Sequence, residues 1–228
     1  MINNTSAFIK YTLCAILIAF AFGNPSFAQR EVRDGAVIDH NAEKIVKSIA
    51  KKLSDDSPLS FDFVFQAKEN EKVVLNEKGS FLSNGDKFRV IATSFEDYSD
   101  GKSVWHYLKS VNEVELSAVD DQGSMFNFSK MMTTYIESYR SKLIREQTVA
   151  GIVCNVIDLT AVKKSYVMKV RLIAAKNTNR ISEMILYTSD NKVYTYNLNN
   201  YKGKRKVSDS DFTFPSDKYP KAQIVDLR

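Results

Sequence analysis

From residue 59 to residue 198 the chain is a succession of short alternating runs separated by turn residues, and this rhythm restricts it to an antiparallel sheet. Leu59, Phe61, Phe63 and Phe65 fall on one side of a run ending at Gln66. Glu69-Asn70-Glu71 turns the chain, and residues 73–82 return through Gly79. Asn84-Gly85-Asp86 turns it again into residues 87–93, with Phe88, Val90 and Ala92 on one face. Asp100-Gly101 follows, a tight-turn pair because glycine accepts positive φ without steric cost. It opens a strand with Val104, His106 and Leu108 on one side and Trp105 and Tyr107 on the other, and residues 113–119 return. The pattern resumes over residues 151–159, 166–174, 181–188 and 192–198, turned by Asn177-Thr178-Asn179 and Ser189-Asp190-Asn191. Tyr166, Met168, Val170 and Leu172 face one way and Lys169 and Arg171 the other, as in a sheet wetted on one side. Phe212 and Phe214 begin a closing strand that Pro215 interrupts before residues 222–227.

Two stretches carry a helical period instead. Ala42, Ile45, Val46, Ile49, Ala50 and Leu53 recur at three- and four-residue spacing over residues 41–53. Asp39 or Asn41 caps this helix, Lys44, Lys47, Lys51 and Lys52 fill its other face, and Asp55-Asp56-Ser57-Pro58 stops it. Phe128, Met131, Met132, Tyr135, Ile136 and Tyr139 predict a second helix within residues 124–143, preceded by Met125 and Phe126 in a loop. The class is therefore α+β, mainly β: one open sheet covered by helices. Phe61, Phe63, Phe65, Phe81, Phe88, Val90, Trp105 and Tyr107 are expected inside, with Met125, Met131 and Met132 on the cover. Methionine is flexible and polarizable, which suits a surface that repacks around variable apolar guests.

The N-terminus reads as an export signal. Lys10 is the only charge before Arg30, residues 11–22 are almost all apolar, and Ser26-Phe27-Ala28 is a small-x-small cleavage site. The apolar run is shorter than the ~20 residues of a spanning helix. Removing residues 1–28 leaves a single domain, 29–228, and lowers the formal net charge from +5 to +4. That balance calls for no nucleic-acid partner. Cys154 is then the one remaining thiol; it falls in an alternating apolar run and is expected to be buried, with no internal disulfide.

No catalytic constellation stands out. His40 sits near a helix start as a surface residue, and His106 shares its strand with Trp105 in a structural role. Two histidines and one mature cysteine do not make a zinc site of ordinary spacing, and no Gly-rich phosphate loop occurs among the eight glycines. Asp55-Asp56 and Asp120-Asp121 are paired carboxylates in turn-like contexts. The chain is read as a non-enzyme without metal or cofactor. Lys202, Lys204, Arg205 and Lys206 form a basic cluster: either a solvated hairpin tip or a contact for an acidic partner or anionic headgroups.

The order of these pieces resembles the LolA family, periplasmic carriers of outer-membrane lipoproteins. The resemblance covers essentially all of residues 29–228. It rests on the Phe65-Gln66 strand end, Gly79-Ser80-Phe81, Lys87-Phe88-Arg89, Ser99-Asp100-Gly101-Lys102 with Trp105 and Tyr107, the apolar helix from Phe128 to Tyr139, and Asp211-Phe212-Thr213-Phe214-Pro215 with Ile224-Val225-Asp226. What it implies is an unclosed antiparallel β-barrel of the LolA/LolB type whose apolar cavity takes acyl chains. Phe61, Phe63, Phe65, Phe81, Phe88, Val90, Trp105 and Tyr107 would line the cavity, and Phe128, Met131, Met132, Tyr135 and Ile136 would form the lid. The implied protein is a periplasmic monomer with only transient membrane proximity. It would receive acylated lipoproteins from an inner-membrane exporter and pass them to an outer-membrane acceptor. A ligand-binding sensor, or a specialised relative carrying another lipid, is the alternative. Carriers of the family hold the lid with an Arg-Pro pair after the Gly-x-aromatic motif; here that turn is Asn84-Gly85-Asp86, and Arg89 follows it.

Overall fold

The computed structural model describes residues 32–33, 36–119, 135 and 137–228. They fall into two units, one ending at Val37 and the other spanning Ile38–Arg228. In the first, β1 (Val32–Arg33) and β2 (Ala36–Val37) pair antiparallel. The expected signal segment, residues 1–28, lies outside the described residues, as do Met125, Phe126, Phe128, Met131, Met132 and Ile136.

The second unit opens with α1 (His40–Asp55), a little longer at both ends than the apolar spacing marks. Asp39 is its cap: one carboxylate oxygen accepts from the Ala42 N–H at 2.9 Å. The other oxygen accepts from the Leu143 N–H at 2.9 Å, so the same side chain ties the helix start to a strand far along the chain. Ala42, Val46, Ile49 and Leu53 are buried, and Lys44, Lys47 and Lys51 are on the other side.

Twelve strands follow in one sheet: β3 (Leu59–Glu69), β4 (Lys72–Asn84), β5 (Lys87–Ala92), β6 (Phe95–Ser99), β7 (Ser103–Leu108), β8 (Glu113–Ala118), β9 (Tyr139–Val149), β10 (Ile152–Ala161), β11 (Val167–Ala175), β12 (Ile181–Thr188), β13 (Lys192–Lys202) and β14 (Gln223–Asp226). Their order across the sheet is β14-β8-β7-β6-β5-β4-β3-β13-β12-β11-β10-β9, antiparallel throughout except that β14 runs parallel to β8. Strands β9 and β14 are the two edges, so the sheet is an unclosed half-barrel. The turns are those the sequence marks. Asn70 and Glu71 take φ of 49° and 63° between β3 and β4. Asp100 accepts from the Lys102 and Ser103 N–H groups, both at 2.8 Å, and holds Gly101 at φ 90°.

One strand is added to those the sequence marks, and three expectations are corrected. The stretch before Asp100-Gly101 is itself a strand, β6. The second helix does not reach residue 143: Tyr135, Glu137 and Ser138 are helical, but β9 begins at Tyr139 and pairs with β10 over ten positions. The Ala150-Gly151 turn, at φ 47° and 79°, makes that hairpin possible. Phe212 does not start a strand but ends a 3₁₀ turn, Asp209–Phe212, and the closing strand is β14 alone. A register shift between Val167 and Lys169 turns Val167 toward the core and leaves Met168 44% exposed, off the face of Val170 and Leu172.

Register separates the two faces of the sheet. Phe61, Phe81, Val90, Asp97, His106 and Glu115 sit opposite one another on successive strands and define the inner face. Ser60, Leu82, Arg89, Tyr98, Trp105 and Leu116 do the same on the outer face. The main core joins the buried side of α1 to the inner face. A second cluster on the outer face packs Tyr98, Tyr107 and Val114 with Phe214, and Trp105 with Tyr219 and Ala222 from the C-terminal segment. Glu96, 2% exposed, fixes that segment by accepting from the Tyr98 and Tyr219 hydroxyls, each at 2.8 Å, with Lys109 Nζ at 3.2 Å. Burial raises the Glu96 pKa, but the two hydroxyls and the lysine together outweigh it and hold the carboxyl below its ordinary value. Cys154 is buried in a third cluster with Val156, Ile173 and Ala175.

Candidate functional site

The inner face is apolar because β3, β4 and β5 each place their large side chains on it. The Phe61 and Phe81 rings stack at 4.7 Å between centroids. Gly79 sits opposite Phe63 and Ala92, and the Phe63 ring lies over it. Phe88 and Val90 complete the row, 2% and 0% exposed. These five side chains pack in the same core as Val46, Ile49 and Leu53 of α1. At about 25 cal/mol per Å² of apolar area, this contact is the main attraction holding the helix to the sheet.

Other side chains on the same core are only half-buried. Phe65 lies 4.7 Å from the Tyr196 ring and 6.0 Å from that of Tyr194. Tyr139 stands edge-on to Tyr135 at 4.9 Å and donates its hydroxyl to the Val167 carbonyl at 2.6 Å. Phe95 and Val104 continue the face across β6 and β7. Together these make an aromatic band that an elongated apolar ligand can contact.

One polar pair interrupts it. Asp97, 3% exposed, meets His106 Nδ1 at 2.5 Å, and the His106 ring lies 5.6 Å from that of Phe95. The hydrogen bond to Asp97 raises the His106 pKa against the burial that opposes it. Burial raises Asp97 in turn, against the pull of His106. The pair thus keeps a shared proton to a higher pH than a free histidine would. His106 is consequently more than a packing residue: with Asp97 it adds an ionisable pair to the band. A histidine set among the aromatics of one strand was the available signal in the sequence.

Phe61, Phe63, Phe65, Phe81, Phe88 and Val90 are therefore brought together as expected, with Tyr135, 5% exposed, in the same core. Trp105 and Tyr107 are not. The two-residue period of β7 puts them on the outer face, where the Tyr107 ring meets those of Phe214 and Tyr219 at 5.5 and 4.5 Å. The sequence showed both residues on the opposite side from His106; what it hid was that the outer face is also covered. Arg89 is on the outer face as well, 3.4 Å from Asp211, and so does not reach the side on which α1 packs. Among the described residues no group of three or more His, Cys, Asp or Glu side chains is placed to hold a metal, and no helix is long and apolar enough to cross a membrane.

No family model matches the chain. No curated protein matches it either. Solved structures do. An uncharacterized conserved protein from Thermus thermophilus superposes with a TM-score of 0.53 at 15% identity, over 82% of this chain and 99% of that one. A LolA superfamily protein from Nitrosomonas europaea gives a TM-score of 0.41 at 14% identity, over 78% and 98%. The MucA/MucB complex of Pseudomonas aeruginosa gives 0.42 at 13%, over 77% of this chain and 62% of that one. At 15% identity the likeness to the Thermus thermophilus protein is one of fold alone.

Proposed function

We propose that the chain is a periplasmic carrier that binds the acyl chains of lipoproteins on its inner face and ferries them from the inner to the outer membrane. The observation that supports this most is the partly exposed aromatic band of Phe65, Phe95, Tyr139 and Tyr194 continuing the buried core of the inner face. Residues 1–28 would direct export and be removed after Ala28. An acyl chain burying ~14 methylenes gains roughly 11 kcal/mol gross. A rigid cavity taking several such chains would not release them. Part of the gain must therefore be offset by displacing what covers the face when it is empty. Phe128, Met131, Met132, Tyr135 and Ile136 are assigned to that cover by their helical spacing. Cargo would come from an inner-membrane exporter and leave to an outer-membrane acceptor with a more favourable site, without a cofactor or a catalytic step.

The Asp97–His106 pair favours a second reading, a sensor or specialised relative for an apolar ligand with a polar head, since an all-hydrocarbon guest would gain nothing from a polar pair placed on this face. The test adds purified protein to spheroplasts of its own host and looks for newly made outer-membrane lipoproteins released in complex with it. Release that is lost in a Met131→Lys/Tyr135→Lys variant fits a carrier. No release, from protein that still binds a fluorescent fatty acid, overturns lipoprotein carriage in favour of the second reading.

A further inference from the structure

On the outer face, β3, β4 and β5 and the segment after β13 line a cavity of about 500 Å³, which Phe61 and Phe81 also border. Its chemistry is the reverse of the aromatic band on the inner face. Arg89, Lys202, Arg205 and Lys206 line it, against two carboxylates, Asp62 and Asp211. Both carboxylates are already engaged. Asp62 accepts from Asn200 Nδ2 at 2.6 Å, and Asp211 accepts from the Ser208 N–H at 2.8 Å and its hydroxyl at 3.1 Å. Arg89 reaches Asp211 only at 3.4 Å. Among the described residues the side chains of Lys202, Arg205 and Lys206 have no hydrogen-bond or ion-pair partner. The hydroxyls of Ser60 and Ser80, which also line the cavity, have none either.

The backbone that carries these cations is fixed. The Lys204 N–H donates to the Asp56 carbonyl and the Arg205 N–H to the Pro58 carbonyl, both at 2.7 Å. Gly203 passes so close to Asp56 that a Cβ would fall 2.7 Å from its Cβ and Cγ atoms. Farther along, Lys87 Nζ holds Asp209 at 2.6 Å. Cations on a free hairpin tip would spread apart into solvent. Here a segment anchored on both sides gathers them around one concavity, where their fields add. Two guanidinium groups, two ammonium groups and two hydroxyls are all donors, and guanidinium forks match tetrahedral oxyanions in particular.

We propose that this cavity binds a phosphate ester. It takes the phosphate of either an anionic phospholipid headgroup or a small soluble ester, independently of whether the inner face carries acyl chains. The test has two arms, both on the purified protein at low salt. Calorimetry with inorganic phosphate and glycerol 3-phosphate reports soluble ligands. Flotation with phosphatidylcholine vesicles, with and without phosphatidylglycerol, reports the headgroup. Lys202→Glu/Arg205→Glu removes two charge-assisted donors and is expected to weaken whichever binding is found by roughly tenfold or more. Lys163→Glu/Lys164→Glu makes the same change in net charge on another loop and should leave it within about twofold. Binding in the soluble arm alone identifies a small ester, and binding in the vesicle arm identifies a headgroup. No binding in either arm, equal weakening by both variants, or displacement of the phosphate ligand only by an acidic peptide overturns the proposal.

Discussion

Gly79 offers a direct test of how tightly β4 is clamped between its neighbours. A methyl group at this position would lie 2.3 Å from the Ile91 carbonyl oxygen, 2.7 Å from Phe63 Cζ and 3.0 Å from Ala92 Cα. Two of these three atoms are backbone, so relief requires β5 to move away from β4, not a side chain to swing. The third belongs to Phe63, which is 7% exposed and packed in the core with α1. Overpacking of a core costs about 1–3 kcal/mol, and a backbone contact this short puts Gly79→Ala at the upper end, about 3 kcal/mol. For a domain of this size that lowers Tm by roughly 6–12 °C. Gly85→Ala is the comparison. Its φ is +59°, but nothing lies within 4 Å of the added Cβ. Only conformational strain remains there, about 1 kcal/mol and roughly 2–4 °C. Thermal unfolding followed by circular dichroism measures both. A Gly79→Ala protein less affected than Gly85→Ala would refute the argument that close strand contact, not backbone conformation, makes glycine necessary in Gly79-Ser80-Phe81.

Other consequences can be checked in the same preparations. Phe61→Ala should cost about 3–5 kcal/mol in urea unfolding, because its ring is buried and stacked on Phe81. Phe65→Ala should cost less yet weaken binding of a fluorescent fatty acid more; the opposite order would move the binding band elsewhere. Trp105 is the single tryptophan and faces outward, so acyl chains brominated along their length should quench it weakly, and strong quenching would contradict the assignment of faces. His106 should titrate above the ordinary 6.5 in an NMR series, and Asp97→Asn should bring it down. Because its folded pKa is raised, the stabilisation from this pair is complete below about 6.5 and is lost as pH rises through the folded value. The Asp97→Asn deficit in stability should accordingly shrink with rising pH across that window, and an unchanged His106 titration would refute the coupling.

Much of this architecture was legible because antiparallel sheets write their turns into the sequence. Asn70-Glu71, Asn84-Gly85-Asp86, Asp100-Gly101 and Asn191 all mark the hairpins they form, and the phenylalanines of β3 announce one buried face. The two missed strands have physical reasons. β6 reads FEDYS: an inward Asp97 and an outward Tyr98 invert the usual pattern, because the aspartate pairs with His106 and the C-terminal segment covers the tyrosine. At β9, neither glycine nor proline lies between Ser124 and Val149, so nothing marks where the helical period gives way to pairing with β10. Trp105 and Tyr107 lie on the face opposite the expected one because the C-terminal segment covers the outer face as well. A sheet with apolar cover on both sides offers no polar face to orient its alternation.

The seam between β3 and β13 has a consequence for how the molecule is made. Strands β3 to β8 follow one another across half of the sheet, and β13 back to β9 across the other half, so every pairing within a half, β14 aside, joins strands that are neighbours in sequence. The halves meet only where β3 pairs with β13, from Ser60 with Lys202 to Glu69 with Lys192. That junction closes a loop comprising most of the domain, and contacts of such range form late and slowly. A chain emerging N-terminus first would hold β3 as an open edge, Phe61, Phe63 and Phe65 included, until β13 arrived. That interval is when β3 would be most exposed to aggregation and to whatever chaperone guards the emerging chain.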